Sequence, residues 1–374
     1  MRRIKNRENL YVFIEEMMEQ AFRGRAESKL EYEKGIPKVY ILEFFPGLDE
    51  KELFDLLTKE IRRVFQRKKL EISFDSNGEL MMVKLPDLEL YFDPLLFYSD
   101  DFVRFRFVPV FTMSRSLESD TNVERLINRS HFIDYEWLNH DRAFKNLEAF
   151  RIEVGSEFDG ALEDTIVDFN FEFHSSSSEY LSKAIKDMFK YVPVNFTKGK
   201  FRITQNDMPL YLYTYSNGKI TFYGGDFEMV RGVIKQVTVE YGHEIKRIEE
   251  KEKKGEPVLI LFSESKRLPS GMTSKFLSKF LSMDNLKLFN VDIFEGSDYA
   301  KAIVADFHVG GTLVIKLYSY GMLLTLLNGS CANSVKRIES FLRRSYDPCI
   351  EVLVDEEEII GKLEAFESGE EGIS

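Results

Sequence analysis

Leu212–Gly225 reads LYTYSNGKITFYGG, and Ile315–Gly329 reads IKLYSYGMLLTLLNG. Both stretches place Tyr-Ser-x-Gly, at Tyr215–Gly218 and Tyr318–Gly321, between an alternating apolar run and a second apolar run. Glycine at such a turn reaches positive φ cheaply, so each stretch reads as two strands joined by a tight hairpin. A Gly or Asn stop follows, and then apolar residues at helical spacing as far as Tyr241 and Tyr346. A strand-turn-strand-helix unit is therefore predicted at Leu210–Tyr241 and again at Leu313–Tyr346, which makes the chain α+β with antiparallel sheets and helices packed on one face.

Working outward, each unit is preceded by a strand, a helix and further strands. Before the first stand the strand Ile166–Phe173, a helix Glu179–Tyr191 capped by Ser175–Ser178, and the strand Phe201–Thr204. Before the second stand Val258–Phe262, the helix Met272–Met283, and the strands Leu286–Phe294 and Ala302–His308. A similar order opens the chain. After an amphipathic helix over residues 8–23 come the strand Lys38–Phe45, the helix Asp49–Gln66 and three short strands ending at Phe92. The alternating run Phe102–Phe111 (FVRFRFVPVF) and a short helix Glu118–Asn128 complete that pass. The β-α-β(n)-α order thus recurs. Residues 1–135 form an N-terminal α+β domain that reads as a diverged copy, 136–164 a connector, 165–245 and 256–350 two repeats, 246–255 a charged linker (KRIEEKEKKG) and 351–374 an acidic tail.

At 374 residues and 44% hydrophobic, the chain can form real cores. No apolar stretch approaches the ~20 residues that cross a bilayer. The start, MRRIKNRENLYVF, lacks the apolar segment of a secretory signal, so a cytoplasmic protein with no membrane partner is expected. Cys331 and Cys349 define neither a disulfide framework nor a metal motif. Scarce Gln beside abundant Lys and Glu resembles proteins of heat-loving organisms. The net charge of -12 is uneven: Glu351–Ser374 has nine acids against one Lys, whereas 165–350 has 21 acids against 25 bases. That balance is far from the basic footprint of a dedicated nucleic-acid binder.

The paired hairpins with their Tyr-Ser-x-Gly turns and following helices resemble the TATA-box-binding protein family over Ile166–Tyr346. In that family two strand-rich repeats build a saddle, and each repeat ends in a Phe-x-Ser-Gly-Lys turn and a long helix. The resemblance implies a saddle-like fold and a DNA-facing sheet. It puts Tyr215 and Tyr318 at the positions whose aromatic pair wedges base steps apart. The family's minor-groove Asn on the first strand of each repeat is matched by Asn170 only, because Val258–Phe262 (VLILF) offers none.

Strand parity defines the face such a fold would offer. If Leu210 and Leu212 face the helices, Tyr211, Tyr213 and Tyr215 face away, joined by Thr221 and Tyr223. Lys316, Tyr318 and Thr325 fall on the corresponding face of the later repeat. Three uses of this Tyr-rich surface stand open: cover by the N-terminal third of the chain, a protein interface, or base stacking. The tail places Ile359, Ile360, Leu363 and Phe366 near helical spacing, to dock on a partner or fold back over the Tyr face.

For catalysis the sequence has no Walker loop, dinucleotide fingerprint, nucleophile elbow or HExxH, and it implies no catalytic residue, cofactor or metal. The densest cluster of suitable side chains is His131–Asp141 (HFIDYEWLNHD), where a helix would pair Glu136 with His140. Trp137 reads there as an anchor for the connector. The expectation is a non-enzymatic binding or assembly protein engaging a protein or nucleic acid through the Tyr face. The alternatives are a sequence-independent DNA-binding protein, or an enzyme with its site near His131–Asp141.

Overall fold

A computed structural model describes residues 4–27, 35–44, 48–97, 99–138, 148–154, 169–171, 196–205, 208–283, 286–296, 299–308, 310–327, 329–347 and 349–368. The protein is α+β, with two antiparallel sheets. It divides into two compact units, one containing Met1–Val154 and Phe196–Gly242 and the other His243–Ser374.

The large sheet belongs to the first unit. Its strands are β1 (Lys38–Phe44), β2 (Glu71–Phe74), β3 (Met81–Leu85), β4 (Leu88–Phe92), β5 (Phe107–Thr112), β6 (Ile133–Tyr135), β7 (Glu148–Val154), β8 (Phe169–Phe171), β9 (Phe196–Gln205), β10 (Met208–Tyr215) and β11 (Lys219–Gly224). They lie in the order β2-β3-β4-β5-β1-β11-β10-β9-β7-β8, with β6 also on β1. One edge of β1 is shared: Lys38–Tyr40 pair with β11, and Leu42–Phe44 with β6.

Three helices precede β6: α1 (Arg7–Glu27), α2 (Glu50–Phe65) and α3 (Ser116–Arg129). Asp49 and Glu52 close a capping box at the start of α2. From there Leu53, Leu57, Ile61 and Phe65 run down one side of the helix into the core. They meet Tyr40, Leu42 and Phe44 of β1, Val83, Leu90 and Val110 of its neighbours, and Val123, Leu126 and Ile127 of α3. The alternate residues of β1 and β5 serve the opposite face. There Phe111 meets Phe227 edge to face at 5.7 Å, and Phe107 meets Tyr241 in the same way at 5.7 Å. Phe227 and Tyr241 belong to α4 (Phe227–Lys254), and α1 packs on β11. β1 is accordingly buried along its whole length.

The second unit holds the small sheet: β12 (Val258–Leu261), β13 (Leu288–Glu295), β14 (Tyr299–Asp306), β15 (Thr312–Tyr318), β16 (Gly321–Leu326) and β17 (Glu351–Leu353). Their order is β13-β14-β15-β16-β12-β17. Three helices accompany them, α5 (Thr273–Leu281), α6 (Asn333–Ser345) and α7 (Glu356–Ser368). Alternation in β14 and β15 buries Ala300, Ala302, Val304, Leu313, Ile315 and Leu317 on one side. The buried Phe280 of α5 and Phe341 of α6 meet at 5.7 Å.

Several predicted elements come out differently. The charged stretch 246–255 is no linker, because α4 continues to Lys254 and the unit boundary falls inside it. Tyr241, Ile245 and Ile248 extend its buried stripe, and alternating Glu and Lys are good helix formers. Within the predicted strand Phe102–Phe111, residues 102–106 are turns, since Asp100 accepts the backbone N–H groups of Phe102 and Val103 and Phe105 takes φ +62°. The connector contributes strand β7 to the large sheet. Ile166–Tyr346 is not one sheet: β10 and β11 join the first pass through β1, while β12–β17 pair among themselves. The helix predicted at Glu179–Tyr191 lies outside the described residues.

Candidate binding faces

The eight residues of the predicted face lie on two sheets. Five are on the large sheet. Leu210, Leu212 and Thr214 are fully buried, and Tyr211, Tyr213 and Tyr215 alternate with them as half-buried residues. Register places Tyr223 opposite Tyr211 and Thr221 opposite Tyr213, so these share a face. The rings stack: Tyr211 on Tyr223 at 5.0 Å and 8°, Tyr213 on Tyr223 at 6.2 Å, and Phe22 of α1 near Tyr211 at 6.3 Å. Tyr223 and Thr221 are buried. Lys219 sits 4.6 Å from the Tyr215 ring centroid and pairs with Asp120 of α3 at 2.7 Å. Much of this row is therefore internal packing, reinforced by cation–π attraction.

Lys316, Tyr318 and Thr325 are on the outer face of the small sheet, where Lys316 is exposed and the other two half-buried. Register adds residues that parity in β10, β11, β15 and β16 alone did not reach. Tyr299 lies opposite Tyr318, Lys301 opposite Lys316, and Phe294 opposite Lys301. Tyr299 is 40% and Phe294 46% exposed. Tyr318 stacks on Tyr320 at 5.3 Å and lies 5.9 Å from Tyr299, and burial beside Tyr299 pushes the Tyr318 hydroxyl's pKa up. Alternation in Leu286–Phe294 was the available signal for Phe294, but its pairing partner was not legible from one strand.

The acidic tail forms α7 and folds back on this outer face. Ile359 is buried, and with Leu363 it packs on Leu259, Leu261, Leu323, Leu353 and Tyr320. Glu356, Glu357 and Glu358 in its first turn stay exposed, where acids suit the helix dipole. Phe366 is in α7, and its side chain lies outside the described residues.

In the cluster His131–Asp141, Ile133–Tyr135 are strand and Glu136–Leu138 are not helical, while His140 and Asp141 lie outside the described residues. His131 is exposed. Trp137 meets Tyr135 edge to face at 5.4 Å and packs against the α2 and α3 core, within its own unit. Glu136 is fully buried. Burial raises its pKa well above the usual carboxylate range, and Glu43 adds to the rise. The Thr238 hydroxyl opposes the shift, although neither carboxyl oxygen of Glu136 completes a hydrogen bond among the described residues. Glu43 itself is paired with Arg106 at 2.8 Å and accepts the Tyr241 hydroxyl at 3.2 Å.

A second buried polar cluster ties β14 to α6. Arg337 donates to Asp306 at 3.0 Å and to the Leu286 carbonyl at 2.7 Å; Ser334 and the His308 backbone also donate to Asp306. Burial pushes Asp306 up, but Arg337, His308 and these hydrogen bonds more than offset it and hold the carboxyl below its ordinary value. Arg337 leaves Asp306 a weak base and Ser334 is fully buried, so the cluster fastens β14 to α6. No group of three or more His, Cys, Asp or Glu among the described residues is placed to hold a metal. No described helix is long and apolar enough to cross a membrane.

Fold and faces together define an α+β protein of two antiparallel sheets, one of them presenting a partly open aromatic face. A family model described as MJECL33-like protein matches residues 1–360, and the chain belongs to that family. No curated protein matches it.

Proposed function

We propose that this is a non-enzymatic binding or assembly protein that engages a partner through the outer face of its small sheet. The observation that carries this reading is the open aromatic surface at Phe294 and Tyr299, on a sheet whose other face is packed by helices. Contiguous exposed aromatic surface of this kind often marks an interaction site. Lys316, Tyr318 and Thr325 belong to that surface, and the Tyr row of the large sheet serves mainly as packing. The matching strand orders β2-β3-β4-β5-β1 and β13-β14-β15-β16-β12 support a repeated unit that pairs the first pass with the third.

A photo-crosslinking residue at Tyr299 tests the proposal in cells that make the protein. A discrete adduct is expected, absent when the same residue replaces the exposed Leu117 of α3. No adduct at Tyr299 defeats the reading. Sequence-independent nucleic-acid binding is a second reading, favoured by the register that sets Arg202, Lys200 and Lys198 opposite Tyr211, Tyr213 and Tyr215. A basic strand beside an aromatic one suits a stacked single strand. Gel shifts with single- and double-stranded DNA should show binding that weakens with salt, and no shift at low salt removes this reading.

A further inference from the structure

The outer face of the small sheet has two halves. Over β12, β16 and β17 it is covered by α7, an acidic amphipathic helix whose Ile359 and Leu363 rest on Leu259, Leu261, Leu323 and Leu353. Over β13, β14 and β15 no described element covers Phe289, Phe294 and Tyr299, which are 58%, 46% and 40% exposed. The halves are continuous. The ring row Tyr299, Tyr318, Tyr320 runs from the open half to a residue that already packs on α7.

At the middle of the open half, Lys301 and Lys316 are direct cross-strand partners. Like charges opposite one another on a sheet repel. Neither forms an ion pair among the described residues; Lys301 lies 5.7 Å over the Phe294 ring instead. The surface thus combines apolar rings with two positive charges that have no ion-pair partner among the described residues, which is complementary to α7's own composition: apolar on one side, acidic on the other.

From this we infer that the open half takes the apolar stripe of an acidic amphipathic helix from a partner protein, laid beside α7 with its carboxylates on Lys301 and Lys316. The inference rests on the proposed binding role of this face and names its occupant. A helix fits better than an added strand. β13 is an edge strand, but it carries a bulge between Asn290 and Asp292 and exposed acids at Asp292 and Glu295, features that discourage edge pairing. A helix also fits better than a nucleic acid, because Phe289, Phe294 and Tyr299 offer an apolar bed for a helix stripe while two lysines fall short of the basic footprint a phosphate backbone needs.

The test uses the full chain and three fluorescein-labelled probes: a peptide with the sequence of residues 356–368, a scrambled peptide of the same composition, and a single-stranded DNA 12-mer. Fluorescence anisotropy should show saturable binding of the first peptide alone, weakening with salt. The double variant Lys301→Glu/Lys316→Glu should raise its Kd at least tenfold, and Phe294→Ala/Tyr299→Ala by a similar factor, with circular dichroism unchanged. Equal binding by wild type and the lysine variant would place the peptide in α7's own seat and overturn the proposal. Lysine-dependent binding of the DNA probe, or no peptide binding, overturns it as well. If Tyr299 still crosslinks a partner when the peptide fails, the helix assignment falls and the binding face stands; if both fail, both readings fall.

Discussion

The segments Lys38–Tyr135 and Val258–Leu353 follow one plan: strand, helix, four strands, helix, and a short strand that returns to the first strand's edge. They differ in how their closing helices are housed. α3 buries a single side, with Ser119, Asn122, Val123, Leu126 and Ile127, and leaves its charged residues at the surface. α6 is buried at ten consecutive positions, Asn333–Leu342, with Lys336, Arg337 and Glu339 inside. The same topology therefore accommodates either a half-wet helix or one enclosed over its first ten residues. What the enclosed helix requires is a partner for every charge it carries inward. Arg337 has Asp306, and Lys336 is held between Glu244 and Glu339.

That contrast can be broken most forcefully at Arg337. Arg337→Met should cost about 3–5 kcal/mol, because Asp306 is left charged and buried, whereas Arg129→Met on the exposed side of α3 should stay within about 0.5 kcal/mol. Urea unfolding followed by circular dichroism measures both, and adding Asp306→Leu to Arg337→Met should cost less than the two single changes summed. Ile359→Ala should remove about 2–4 kcal/mol by opening a cavity under α7. It should also increase dye binding to the sheet face, an effect with no counterpart at β1, whose matching face is packed by α4. The smallest expected effect, about 1–2 kcal/mol, is a gain. Glu136 follows β6 as a buried carboxyl, whereas Val354 follows β17 half-buried. The folded protein holds the Glu136 proton more tightly than the unfolded chain, so stability falls as pH rises from the ordinary carboxylate pKa to the raised one. Glu136→Gln should flatten that slope and raise the urea midpoint at neutral pH by this scale of unsatisfied burial.

Local chemistry made the hairpins and most helices legible. Asp49 and Glu52 mark the start of α2, and Tyr-Ser-x-Gly marks both turns. Even so, the two glycines serve differently. Gly218 has φ +71° and would place a Cβ 2.6 Å from the Glu136 carbonyl oxygen, while Gly321 lacks positive φ and would meet the Ile260 carbonyl oxygen at 2.4 Å. Gly218 thus meets the turn rule and a close backbone approach together, whereas Gly321 is required by the approach of β12 alone, a tertiary fact that no turn rule contains. Pairing was equally hidden. The resemblance carried by the hairpins at Tyr215 and Tyr318 implies one saddle-like sheet, yet β11 finds its neighbour in β1, more than 150 positions away, through Val39 set opposite Ile220. Alternation predicts which side a residue faces but says nothing about which strand lies alongside. For the predicted face, parity placed Tyr211 and Tyr213 correctly relative to Leu212. It could not show that Phe22 and Tyr223 would stack against them.

The enclosure of α6 also has a meaning in time. Its Lys336 finds Glu244 across 92 positions of chain, so that ion pair requires a long loop to be closed. Such contacts form late, after the local hairpins β13–β14 and β15–β16. Interactions absent from the folding transition state govern how fast the native protein comes apart. In stopped-flow experiments Lys336→Met should therefore accelerate unfolding several-fold and leave refolding nearly unchanged. On that account the charges sealed around α6 set the lifetime of the second unit more than the speed at which it is made.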